Sequence, residues 1–136
     1  MIKLLIIIIL IVTFGACSSD RDFAEEVIGF NLPEHISKLN SNKEFYLNPT
    51  GDGEQVAIFS FLSEDSSSLA KKCMSMKYCA LPIHKSKLPD AAVFQWMSET
   101  DSLGYYKLEI GTDEASYSIA VINMTNKQII AYRVFF

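Results

Sequence analysis

"YSIAVINMTNKQIIAYRVFF", residues 117–136, is the stretch on which the fold turns. Two runs rich in β-branched and aromatic residues, "YSIAVINM" and "QIIAYRVFF", flank the turn-forming "TNK", the pattern of two consecutive strands. Ahead of them stands "YYKLEI" (105–110), separated by the turn "GTDEA". Its Tyr106, Leu108 and Ile110 alternate with Tyr105, Lys107 and Glu109, as in a half-exposed strand. The last third is therefore expected to be a three-stranded meander. Its final "VFF" is expected to be buried by pairing and packing, because a frayed apolar segment invites aggregation.

Working outward, "EQVAIFSFL" (54–62) carries Val56, Ile58 and Leu62 on one side and Ala57, Phe59 and Phe61 on the other. That suits a strand covered on both faces. "KEFYL" precedes it across the turn formers "NPTGDG", so the pair reads as a hairpin with a roomy loop. Two helices are predicted. Ser66 to Ser68 cap "SLAKKCMSM", where Leu69, Cys73 and Met76 form one stripe, and Asn31 with Pro33 opens a short helix over Pro33–Leu39. The predicted class is α+β: an antiparallel sheet of about five strands with two short helices on one face, in two layers.

The N-terminus answers a different question. Lys3 is followed by an apolar run from Leu4 to Phe14, then Gly15, Ala16 and Cys17, after which "SSDRD" is polar. From Leu4 to Ala16 there are 13 residues, short of the roughly 20 needed to span a bilayer core. The layout is that of a secretory signal peptide. A cysteine directly after two small residues resembles the lipobox of bacterial lipoprotein precursors, although Phe14 stands where that family usually has an aliphatic residue. The resemblance covers residues 1–17 only. It implies that the thiol of Cys17 is acylated and becomes the first residue of the mature chain. Ser18, not Asp, follows it, which in that family implies sorting to the outer membrane. The expected organisation is a signal peptide over 1–16, a lipid-anchored tether over 17–26 and a single domain over 27–136. An ordinary secretory signal and an uncleaved anchor remain the alternatives.

Three cysteines leave one unpaired, and lipidation of Cys17 accounts for it. Cys73 and Cys79 then form the expected disulfide of an oxidising compartment, with two free thiols as the alternative. On a continuous helix their Cα atoms would stand about 9 Å apart, beyond the ~7 Å a disulfide bridges, so a bond requires the helix to end between them. Removing residues 1–16 leaves 120 residues, enough for one core, and takes the formal charge from −4 to −5. An acidic exported domain is not expected to bind nucleic acid.

Catalytic patterns are sparse. His35 and His84 lack zinc spacing, no G-x-S-x-G elbow or phosphate loop is present, and Glu64, Asp65, Glu99 and Asp101 read as solvated turn carboxylates. No cofactor, metal site or catalytic set is expected. One charge pattern does stand out: no carboxylate occurs from Ser66 to Pro89, while Lys71, Lys72, Lys77, His84, Lys85 and Lys87 fall there, with Trp96 beyond as a candidate aromatic anchor. These residues form the expected binding patch; a merely solvated face is its alternative. The expected role is a non-enzymatic envelope lipoprotein held to the membrane at Cys17 and binding another protein, as an inhibitor, immunity or exclusion factor, or accessory subunit. The alternative is an envelope enzyme or ligand carrier acting on cell-wall or lipid substrates.

Overall fold

The computed structural model describes residues 19–45, 52–112 and 116–135. In chain order it contains helix α1 (Ser19–Ile28), strands β1 (Ser37–Phe45) and β2 (Gly53–Ser60), helix α2 (Ser66–Ser75), and strands β3 (Cys79–Ala80), β4 (Gly104–Ile110), β5 (Tyr117–Asn123) and β6 (Gln128–Phe135). Short 3₁₀ turns occupy Ser63–Asp65, Lys85–Lys87 and Ala92–Gln95. The strands form one antiparallel sheet in the order β1-β2-β6-β5-β4-β3. The fold is α+β with the expected β4-β5-β6 meander. It has six strands because the two residues of β3 join the outer edge of β4.

Cross-strand partners carry their side chains to the same face, so the register sorts the residues. On one face lie the rows Phe59, Ile129, Ile122, Tyr105 and Ala57, Ala131, Ala120, Lys107. On the other lie Ile58, Ile130, Val121, Tyr106 and Val56, Tyr132, Ile119, Leu108. Each face has its own apolar cluster. The first is closed by Phe23, Ala24, Val27 and Ile28 of α1 and by Leu69 and Cys73 of α2. The second is closed by Leu81, Ile83, Val93 and Met97 of the irregular segment that follows β3. Burying each such Leu, Ile or Val stabilises the fold by about 1.5–3 kcal/mol. The three alanines in a row, all fully buried, leave a shallow trough, and α1 lies in it.

Asp90 pins the irregular cover: its Oδ1 accepts the Tyr117 hydroxyl at 2.5 Å and the Ala92 N–H at 2.8 Å. The Tyr132 hydroxyl donates to Glu54 Oε2 at 2.8 Å on the same face. Asn123, the one buried polar residue among those described, donates to Asp101 and accepts from the N–H groups of Thr125 and Asn126, tying the β5–β6 turn.

Two local expectations differ from the structure. Residues 19–26, read as part of the tether, belong to α1, which ends on Gly29 at φ +89°. Pro33–Leu39 is not a helix but a turn followed by the start of β1, whose eight pairs with β2 satisfy more backbone than one helical turn would. The connection is held from α1: Arg21 donates to the carbonyls of Leu32 and Pro33, and Glu25, ion-paired to Arg21 at 3.1 Å, accepts the Leu32 N–H. The loop "NPTGDG" lies mostly outside the described residues.

Candidate functional site

Cys17 lies outside the described residues. Cys73 and Cys79 are both free, Cys73 fully buried and Cys79 exposed, so the disulfide expected between them is absent. The helix does end between them, but by backbone chemistry. Tyr78 N–H donates to Cys73 O at 3.0 Å and Lys77 N–H to Met74 O at 3.2 Å, a Schellman turn with Lys77 in the left-handed conformation at φ +59°. The chain then enters β3, where Cys79 faces Tyr106. Tyr106 belongs to the second cluster and Cys73 to the first, so the two thiols belong to opposite faces of the sheet.

The same partition divides the basic segment. Lys71, Lys72 and Lys77 belong to α2 and its end, on the first face, whereas His84, Lys85, Lys87 and Trp96 belong to the cover of the second. These seven residues therefore do not gather on one face. Lys72 donates to the Asn31 carbonyl at 3.0 Å and sits over the Phe30 ring, and Lys85 pairs with Glu99 at 2.5 Å. His84 and Lys87 are exposed. Trp96 is half-buried with its ring 5.1 Å from that of Tyr132, which makes it part of the second cluster.

One thiol and three phenols are held in their protonated forms. Burial pushes the Cys73 thiol up to about 12, and burial is also the main cause raising the Tyr78, Tyr106 and Tyr117 phenols. A thiol so displaced is not a nucleophile near neutrality. Asp20 is lowered, chiefly by its hydrogen bond from Lys38. Glu99 and Asp101, read above as solvated turn carboxylates, have separate partners: Glu99 meets Lys85, while Asp101 accepts from Ser98 N–H and Asn123. Among the described residues no group of three or more His, Cys, Asp or Glu side chains is placed to hold a metal, and no helix is long and apolar enough to cross a membrane.

What the structure does assemble is an apolar side at α2, β3 and β4. A groove of about 520 Å³ runs there, lined by Ser66, Ser67 and Ala70 of α2, Ala80 of β3, Tyr105 of β4 and Met124. Leu103, 63% exposed, stands at it. Beyond β3 the outer edge of β4 has no further strand among the described residues. Leu81 N–H bonds Gly104 O on that side at 3.0 Å, so strand alternation turns the backbone groups of Leu108 and Ile110 outward as well. A smaller hollow of about 270 Å³ lies at the other end of β4–β6, beside Arg133, whose guanidinium is already engaged by Glu26 at 3.3 Å and by the Phe23 ring. Sequence reading missed the groove because its parts come from four separated segments; the only local signal was Met74 on the polar side of a helix.

No protein-family model, no curated protein and no solved structure matches this chain.

Proposed function

We propose that the chain is a lipid-anchored protein of the bacterial envelope that acts by binding another protein along its α2–β3–β4 side, without catalysis. One observation carries this reading. Of the six large hydrophobic residues exposed among those described, three, Met74, Met76 and Leu103, belong to α2, its end and the residue entering β4, and Leu103 lines the groove. Apolar surface gathered in this way marks an interaction site more often than scattered apolar residues do. Lys71 and Lys77, both exposed on α2 and its end, favour a partner with acidic groups at the rim. The volume and apolar lining of the groove also support a second reading, a carrier of a small apolar ligand.

Site-specific photo-crosslinking in the native membrane tests the first reading. A crosslinker at Leu103 or Met74 is expected to capture one defined protein, and a crosslinker at Asn40 on β1 to capture none of it. Leu103→Glu with Met74→Glu should weaken that association at least tenfold, about 1.4 kcal/mol, with little change in melting temperature. Capture from Asn40 alone would move the site elsewhere, and a lipid co-purifying in the groove without any protein adduct would favour the carrier.

A further inference from the structure

We infer that the domain sits on the membrane with its β1 edge toward the bilayer surface, which holds the α2–β3–β4 side as far from the lipid as the fold allows. This inference rests on the lipid-anchor reading of Cys17.

Helix α1 crosses the strands instead of running along them. At its start Asp20 meets Lys38 of β1 at 3.0 Å and is hydrogen-bonded by Ser41 of the same strand. In its middle Phe23 and Glu26 both contact Arg133 of β6. At its end the Ile28 carbonyl accepts the Tyr78 hydroxyl at 2.5 Å, and a Cβ placed on Gly29 would stand 3.3 Å from Lys107 Nζ of β4. Ten residues at 1.5 Å cover about 15 Å, most of the ~19 Å between β1 and β4. The N-terminus of α1 is therefore over β1, at one edge of the sheet.

Cys17 is only two residues before Ser19, the first residue of α1. Two residues reach at most about 7 Å. The helix cannot be drawn out to lengthen this leash, because Phe23, Ala24, Val27 and Ile28 are buried in the first cluster. An acyl chain on Cys17 thus brings the bilayer to within one short step of the β1 edge. The opposite edge, five strand spacings away, stands about 24 Å farther out.

Near this end of α1 either the outer surface of the helix or the β1 edge could face the lipid, and surface chemistry selects the edge. The outer surface of α1 exposes the carboxylates Asp22 and Glu26, which an anionic leaflet repels. The strand β1, "SKLNSNKEF", instead carries Lys38, paired with Asp20, and Lys43 with a single carboxylate, Glu44, among amides and hydroxyls, with Leu39 at a register shift and 53% exposed. That mixture suits a headgroup layer. The bilayer would also shelter the outer edge of β1, beside which no further strand lies among the described residues, from pairing with other chains.

The test uses the full lipidated chain in vesicles of phosphatidylethanolamine and phosphatidylglycerol. In a Cys79→Ser background, with Cys73 buried, a fluorophore is placed at Asn40→Cys or at Ile110→Cys and quenched by nitroxide lipids. Quenching at position 40 is expected to exceed that at 110 several-fold. Inserting eight Gly and Ser residues between Ser18 and Ser19 should erase the difference. Equal or reversed quenching in acylated protein without the insert overturns the orientation alone; an unacylated Cys17 peptide in mass spectrometry overturns the anchor reading and the orientation with it. A difference that survives the insert overturns the short leash as its cause.

Discussion

Cys73 has no exposed surface and a thiol displaced to about 12, whereas Cys79 is exposed on the short edge strand. Alkylation of the native protein should therefore modify one of these two thiols, Cys79, and reach Cys73 only on unfolding; peptide mass spectrometry reads this directly. Modification of neither, with a disulfide found between them, would contradict the arrangement of faces. The raised thiol also has a sign in alkali. The unfolded chain ionises above the ordinary value of 9.0 while the folded one keeps its proton to about 12, so this contribution is complete below 9.0 and is lost as pH rises through 12. Cys73→Ala should flatten that part of the stability profile. Lys77 offers a separate test. It holds the left-handed position of the Schellman turn at φ +59°, where a side chain costs about 1–2 kcal/mol that glycine avoids. Lys77→Gly is expected to stabilise the domain by about 1 kcal/mol in chemical denaturation, after the greater entropy of unfolded glycine is offset.

At the scale of elements, α1 and the alanine row depend on each other. Ala57, Ala131 and Ala120 are fully buried in adjacent strands beneath Ala24 of the helix. Small side chains on both surfaces let the helix approach the sheet closely, and a larger one would have to lift it. Ala131→Leu should destabilise by about 1–3 kcal/mol, measured by urea unfolding. A neutral result would mean that α1 does not rest on that row. The helix was recognisable in principle: Phe23 with Val27 and Ala24 with Ile28 are spaced i, i+4, acidic residues occupy the first turn, and Gly29 stops it. Its first eight residues read as a tether because six of the ten residues are polar or charged before the first apolar pair completes. The opposite error arose at Pro33, where a proline and a capping residue fit a turn into a strand as well as they fit a helix start.

On the scale of the whole molecule, two apolar clusters share one sheet, so neither cover can leave without exposing residues in the same strands. Unfolding should be a single transition. Trp96, the sole tryptophan, reports the second face, and far-UV circular dichroism reports the whole; their midpoints in urea should coincide. An earlier fluorescence change would mean that the segment after β3 detaches on its own. The meander, the doubly covered β2 and the position of α2 were legible in the residues, because strand and helix periodicities are local and the two-sided apolar pattern of "EQVAIFSFL" already requires cover on both faces. Which segment covers which face was not legible. Nothing local distinguishes Cys73 from Cys79, or Lys71 from Lys85, until β3 pairs with β4 and sends the chain from one side of the sheet to the other. The sequence by itself thus determined β2, the β4–β6 meander, the second helix and the apolar run ahead of Cys17, each a property of neighbouring residues. Only the tertiary structure decided the course of α1 and the nearness of Leu103 to α2 across the groove, because exposure and contact are set by residues distant in the chain.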